Sequence, residues 1–205
     1  MEKRSTRGII RSALDVKNWA AKMPTVSAVR PARCPACDAA SAPIGGSIVL
    51  HGHGLRVRQL RGPGAPGQEP SLVLVTVRRY ECQRCGAVVT VAPAETLTQR
   101  LYSAAAIAWA LALYGISRLT SAAVRKAVSP WRVVGHGSVA RWRTLARWCT
   151  AVAARRLFAT LPPLTGATAR ELACRAAVAI SAYAIATTEP PPLPVLAFHG
   201  AARAA

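Results

Sequence analysis

Cys34-Pro-Ala-Cys37 and Cys82-Gln-Arg-Cys85 are the two stretches that decide the fold of this chain. In each stretch two thiols stand one tight turn apart, the spacing that holds one face of a tetrahedral metal ion. Together they form a closed set, which we call the cysteine cluster: Cys34, Cys37, Cys82 and Cys85. A shell of four cysteines is typical of structural zinc, with Zn–S distances of about 2.3 Å. Gly86 follows the last cysteine, where a sharp turn favours a residue that tolerates positive φ. The sequence therefore predicts a zinc site.

Other uses of these cysteines are less favoured. The chain opens with Met1-Glu-Lys-Arg and no apolar stretch of a secretory signal follows, which argues against a disulfide. A thioredoxin-like redox motif would use one cysteine pair rather than two. His51 or His53 would replace a cysteine ligand only if one pair failed, because four thiolates already close the shell. We therefore expect thiolate ligands in a reducing, cytoplasmic compartment.

Residues 31–93 have the pattern of a small zinc ribbon. Residues 55–61 alternate apolar and basic side chains, which is the period of a half-exposed strand. The glycine- and proline-rich run at 62–67 predicts a loop, because glycine frees φ and proline cannot pair. Strands are predicted at 47–53, 55–61, 72–80 and 87–92. A hairpin tied at both ends by a metal gives a stable unit despite a thin core.

Helical periodicity replaces alternation in residues 96–160, which we interpret as a helix-turn-helix DNA-binding region. Helices are predicted at 98–114, 117–128 and 138–158. Gly115 is placed to end the first helix, and Ser138 is placed to cap the third.

The ends of the chain have less pattern. A basic leader at 1–30 and a proline- and alanine-rich tail at 188–205 are expected to be flexible. An additional alanine-rich helix is predicted at 168–187. The predicted fold class is α+β: a small β-rich zinc ribbon with four cysteine ligands, followed by an all-α helix-turn-helix bundle, with flexible termini.

The charge of the chain has one dominant sign. Lysine and arginine total 27 and aspartate and glutamate total 8, so the formal net charge is +19. Such an excess favours nucleic acid or an anionic surface as partner. No acidic residue occurs between positions 96 and 169, whereas a merely solvated helix face carries both signs. This distribution is typical of a surface that binds DNA phosphates.

The helix predicted at 138–158 has two faces when its residues are placed at 100° intervals. The predicted inward face comprises Val139, Trp142, Leu145, Ala146, Cys149 and Val152. The predicted outward face comprises Ala140, Arg143, Thr144 and Arg147, flanked by Arg141 and Trp148. Residues near the start of a recognition helix reach base edges. Base contacts are therefore predicted for Ser138, Ala140, Arg141 and Thr144. Phosphate contacts are predicted for Arg143, Arg147, Arg125 and Lys126.

Double-stranded DNA is therefore the predicted partner, and two other functions remain open. One is an RNA-binding or protein-interaction module, because zinc ribbons serve both purposes. The other is a peripheral protein at a membrane surface that uses the arginine- and alanine-rich helices. Membrane insertion is disfavoured. The apolar stretch 103–116 is shorter than the roughly 20 residues that span a bilayer, and the stretch 172–186 contains Arg175.

Taken together, these motifs resemble the N-terminal part of bacterial insertion-sequence transposases and the short stand-alone zinc-ribbon proteins related to them. The resemblance rests on the first cysteine pair, on Arg78-Arg-Tyr-Glu-Cys82-Gln-Arg-Cys85-Gly86, and on a helix-turn-helix ending in Val139-Ala-Arg-Trp-Arg143. It covers residues 31–150. It implies binding to the DNA at element ends, with the four residues of the cysteine cluster as zinc ligands. Asp38 is a departure, because the family often has glycine there.

The same resemblance raises the question of catalysis. Transposases of this kind cut DNA with metal ions that several acidic side chains hold. Beyond Glu95 this chain has only Glu171 and Glu189 as acidic residues. We therefore expect a DNA-binding module or a transposase fragment rather than an enzyme.

Overall fold

Strands and helices both occur in the computed structural model of the chain, which describes residues 9–131 and 142–205. Within those ranges lie a four-stranded sheet and six helices, so the predicted α+β class is confirmed. The chain divides into two units. The ribbon unit consists of the chain up to Gln59 together with Leu74–Arg100, and the helical unit consists of Leu60–Val73 and Leu101–Ala205.

The sheet has the strand order β1-β4-β3-β2. Its strands are β1 (Ile9–Arg11), β2 (Leu50–Gly62), β3 (Ser71–Cys82) and β4 (Val88–Ala92). β1 runs parallel to β4, and β3 runs antiparallel to β4 with Tyr80 opposite Val89. Tyr80 and Val89 are both fully buried. The core of the ribbon unit includes Val75, Val77, Tyr80 and Cys82 of β3 and Val89, Val91 and Ala92 of β4. The last residues of β2, from Leu60 onward, and the first residues of β3, up to Val73, belong to the helical unit.

Residues 9–30 differ from the flexible leader that the sequence analysis expects. They contain β1 and a helix, α1 (Val16–Ala21), whose first turn is capped by the Asp15 side chain accepting from Asn18 N at 2.7 Å. Trp19 is only 1% exposed, and its Nε1 donates to Thr76 O at 2.8 Å. The buried Trp19 side chain and the pairing of β1 with β4 hold this segment on the sheet.

The helical unit is built around one helix that is buried on nearly all sides. Its helices are α2 (Ala104–Gly115), α3 (Ser121–Val128), α4 (Arg143–Ala153), α5 (Ala169–Ser181) and α6 (Leu193–Ala204). Nine of the 12 residues of α2 are buried, which places it at the centre of the unit. It packs against α3, α5 and α6, and α4 packs against α5.

Small residues let α2 and α6 each approach α5 closely. A Cβ on Gly115 would lie 2.3 Å from the backbone nitrogen of Cys174, and one on Gly200 would lie 2.2 Å from Ile180 O. Alanine buries little apolar area on its own. Close backbone contact recovers dispersion energy that large side chains would otherwise supply.

Capping side chains set where the helices begin. α2 begins at Ala104 rather than at 98, because Ser103 Oγ accepts from Ala106 N at 3.1 Å. α3 begins at Ser121 rather than at 117, where Thr120 caps in the same way. The helix predicted at 168–187 is observed as α5 and starts with a capping box between Thr168 and Glu171.

The tail expected to be disordered at 188–205 contains α6, so this expectation is wrong for most of its length. Pro192 is the N-cap residue, and Pro194 lies within the first helical turn, where its missing N–H costs nothing. Phe198 is buried and meets Trp109 edge-to-face, with ring centroids 6.2 Å apart. A proline run that suggested disorder therefore starts a packed helix.

Candidate metal centre and basic helix face

The four residues of the cysteine cluster lie together, as predicted. All four sulfur atoms fall within 4.8 Å of one another. The Sγ atoms of Cys34 and Cys85 are 3.7 Å apart, and so are those of Cys37 and Cys82. An S–S bond would be about 2.05 Å long, and all four cysteines are free thiols. The edge of a tetrahedron with Zn–S bonds of about 2.3 Å is about 3.8 Å. The cluster therefore has the dimensions of a metal site.

The two cysteine pairs have the same backbone hydrogen bonds. In the first, Cys34 N donates to Ala39 O at 2.9 Å, and Asp38 N donates to Cys34 O at 2.8 Å. The second pair has the same two bonds, at 2.9 and 2.7 Å, among Cys82, Gly86 and Ala87. Repetition of one turn on two separate segments places two sulfurs from each segment toward a shared point.

Asp38 and Gly86 occupy equivalent positions with left-handed backbone. The φ angle is 56° at Asp38 and 70° at Gly86. Aspartate is among the few residues that tolerate this region, because its short side chain bonds locally. Arg33 Nη1 supports the turn by donating to Asp38 O at 2.8 Å and to Asp38 Oδ2 at 2.9 Å. The departure from glycine at position 38 thus leaves the turn unchanged.

Substitution at Gly86 is expected to reveal the cost of this conformation. Nothing lies within 4 Å of a Cβ built there, so Gly86→Ala introduces backbone strain without a clash. We expect Gly86→Ala to lower the free energy of unfolding by about 1–2 kcal/mol and Gly86→Asn by clearly less. Denaturant unfolding of the metal-loaded protein measures both. Equal losses for the two variants would contradict the role assigned to the φ angle.

Hydrogen bonds from backbone amides and neighbouring thiols change the pKa values of the cysteine thiols. Burial acts to raise the pKa of the Cys82 thiol, but donation from the amides of Cys85 and Arg84 and from neighbouring thiols lowers that pKa to about 7. Burial and the neighbouring thiols raise the pKa of Cys85 to about 12. Four thiols this close do not all ionise by themselves, because each thiolate disfavours the next. A bound dication removes that obstacle and allows all four to act as thiolate ligands.

The two candidate histidines have other partners. His51 Nε2 lies 2.7 Å from Ile48 O, and His53 Nδ1 lies 3.0 Å from Glu81 Oε2. Among the described residues, the cysteine cluster is the one group of three or more histidine, cysteine or acidic side chains that could share a metal ion.

α4 carries the described part of the predicted DNA-binding face. Arg143 and Arg147 are exposed one turn apart, and Thr144 beside them is half-buried. The predicted inward residues Trp142, Leu145, Cys149 and Val152 are buried. Two assignments are wrong: Trp148 is 3% exposed rather than on the flank, and Ala146 is exposed rather than inward. Ser138, Val139, Ala140 and Arg141 lie outside the described residues.

α3 carries the other two predicted phosphate contacts. Lys126 is exposed and Arg125 is half-buried, both in the last turn of the helix. The main packing partner of α3 is α2, whereas that of α4 is α5. Residues 132–141, between the two helices, lie outside the described part of the chain. The pairing of these helices as a helix-turn-helix therefore stays a prediction.

One exposed aromatic residue lies outside the sites that the sequence predicts. Trp131 is 52% exposed, and the guanidinium carbon of Arg61 lies 5.5 Å from its ring centroid. A tryptophan next to a proline and a serine in a loop has no periodicity to indicate its exposure. The flanking Ser129-Pro130 stop was the only local signal.

Comparison with known proteins gives no family assignment: no family model matches the chain, and neither curated proteins nor solved structures gave a match. In the described ranges, every helix is too short or too polar to cross a membrane.

Proposed function

We propose that the chain is a zinc-containing protein that binds double-stranded DNA, with the metal in a structural role and the exposed face of α4 on the phosphate backbone. The observation that carries this proposal is the pair of exposed arginines, Arg143 and Arg147, on a helix without acidic residues. Within the described residues neither guanidinium has a carboxylate partner.

Zinc is the metal that fits the cysteine cluster best. Four sulfur ligands in a tetrahedral arrangement suit Zn²⁺, whereas hard cations such as Mg²⁺ and Ca²⁺ prefer oxygen. Bound zinc would tie the two cysteine turns together and leave no open coordination position for chemistry. Free thiols also fit a reducing compartment, which is where we place the protein.

The DNA partner is supported by charge distribution. Acidic residues of the helical unit are limited to Glu69, Glu171 and Glu189. Glu171 is engaged at the start of α5, where its Oε2 accepts from Ala167 N and Thr168 N. Little negative charge is therefore left to neutralise the basic face, and arginine binds phosphate in a bidentate manner.

The proposed origin of the protein is a mobile-element transposase. The paired cysteine turns, the basic strands and the sequence at the start of α4 resemble the N-terminal part of that class. So few carboxylates offer no evident cage for the metal ions of a nuclease. A DNA-binding module or a transposase fragment fits this composition better than an enzyme.

The test is a duplex titration of the zinc-loaded protein at 50 and 200 mM salt. Duplexes enriched from a randomised pool are compared with scrambled versions. Four phosphate contacts, at Arg125, Lys126, Arg143 and Arg147, give a salt slope of about −3.6 and about 150-fold weaker binding at the higher salt. We expect that slope together with a preference for the enriched sequence. Absence of duplex binding at 50 mM salt would contradict the proposal.

A further inference from the structure

Trp131 is displayed at the surface although tryptophan gains most from burial. It is 52% exposed. The other tryptophans of the described chain are Trp19, Trp142 and Trp148, which are buried, and Trp109, which is half-buried. Tryptophan is enriched at contact surfaces, and the exposure of this one matters because its backbone and a neighbouring cation are both held in place.

The backbone of Trp131 is held by a hydrogen bond to the side chain of Ser129. Trp131 N donates to Ser129 Oγ at 3.3 Å, and Tyr102 Oη donates to the same oxygen at 3.1 Å. Ser129 is only 7% exposed and ends α3. Tyr102 in turn packs edge-to-face on Trp148, with ring centroids 5.0 Å apart. The backbone of Trp131 is therefore linked through Ser129 and Tyr102 to the packed ring of Trp148.

A cation is fixed beside the same ring. The Arg61 guanidinium carbon lies 5.5 Å from the ring centroid of Trp131. The backbone of Arg61 is held on both sides, because Arg61 N donates to Leu101 O at 2.8 Å and Ser103 N donates to Arg61 O at 3.1 Å. Both members of the pair belong to the helical unit. We call the pair the Arg61–Trp131 platform.

We propose that the Arg61–Trp131 platform stacks an unpaired nucleobase, such as one at a nick, a gap or a frayed duplex end. The proposal rests on the proposed DNA-binding function and adds the kind of DNA that the protein prefers. Proteins that hold single strands combine aromatic rings that stack on bases with cations that follow the backbone. The ring supplies the first element, and Arg61 supplies the second or a further stacking plane.

The basic composition of the helical unit favours a nucleic acid over an apolar protein partner. The charged residues of the helical unit up to position 131 are four cations, Arg61, Arg118, Arg125 and Lys126, and one acid, Glu69. Tryptophan and arginine are enriched at protein interfaces too, so the excess of cations over acids is what favours a base with its phosphate.

The experiment compares three probes of equal length with the zinc-loaded, full-length protein: a blunt duplex, the same duplex with a three-nucleotide gap, and a single strand. Variants are Trp131→Ala and Trp131→Phe, with Trp109→Phe as the matched control. We expect Trp131→Ala to weaken binding to the gapped and single-stranded probes about 5- to 150-fold. Binding to the blunt duplex should change less than about twofold, and Trp131→Phe should retain most of the affinity.

Intrinsic fluorescence gives a second readout that a purely structural role would not move. Stacking on Trp131 should quench emission of the wild type and of Trp109→Phe when the gapped probe binds, and the quenching should vanish in Trp131→Phe. Equal losses of Trp131→Ala on all probes, or no loss, would overturn the platform while leaving duplex binding intact. Wild-type protein that binds single strands through Trp131 but ignores duplexes would overturn the proposed function instead.

Discussion

Removal of the metal is expected to unfold the ribbon unit and to leave the helical unit folded. The two cysteine turns come from segments far apart in sequence, and the cluster holds them in place. The binding free energy of structural zinc, roughly 10–16 kcal/mol, is folding free energy for a unit of this size. We expect intact-protein mass spectrometry to find one zinc ion per chain. Chelation should then release the backbone amides of α1 and β4 to hydrogen exchange, whereas those of α2 and α5 stay protected.

Cysteine substitutions separate this effect from a general loss of stability. Cys85→Ser should abolish zinc binding and reproduce the effect of chelation. Cys149→Ser is the control, because Cys149 is a free thiol outside the cluster and is more deeply buried than the half-buried Cys85. Burial raises the pKa of the Cys149 thiol to about 11, and the described group that could hold a metal ion does not include Cys149. Unchanged exchange of β4 after chelation, or zinc retained by Cys85→Ser, would refute a structural metal.

The cysteine cluster was predictable because the information that forms it is local in the sequence. A Cys-x-x-Cys spacing fixes one turn that directs two sulfurs to the same side. Two such turns together supply the four sulfurs of a tetrahedral metal site. The left-handed conformation at Gly86 could be read from residue type in the same way, but that at Asp38 could not, since aspartate adopts many conformations. The start predicted for the helix at 168–187 agrees with the observed capping box between Thr168 and Glu171.

The features that the sequence did not predict depend on burial between elements that are distant in sequence. Trp19 holds the N-terminal segment because its ring is buried and its N–H reaches a carbonyl of β3, which the local sequence does not indicate. α6 packs closely on α5, where a Cβ on Gly200 would meet Ile180 O, and alanine-rich sequence gives no sign of that contact. Trp148 was placed on the flank by angle alone, yet it lies against Trp142 and Tyr102, with centroids at 5.1 and 5.0 Å. Aromatic packing of this kind overrides helical periodicity.

Reversal of charge on the exposed face of α4 is expected to remove most of the affinity for duplex DNA. The variant is Arg143→Glu combined with Arg147→Glu. Loss of two phosphate contacts lowers the magnitude of the salt slope by about 2 and weakens binding about 60-fold at 0.1 M salt. The introduced carboxylates repel phosphate and add to this loss. Anisotropy titrations over a range of salt concentrations measure both quantities.

The same variant should fold normally, which makes its binding defect interpretable. Arg143 is the first residue of α4, where a negative charge is favoured by the helix dipole. Repulsion between glutamates four residues apart costs only about 0.2–0.5 kcal/mol. The matched control, Lys17→Glu with Lys22→Glu, changes the net charge by the same amount at exposed positions of the ribbon unit. If both double variants lost affinity equally, binding would follow net charge alone, and α4 would have no special place in it.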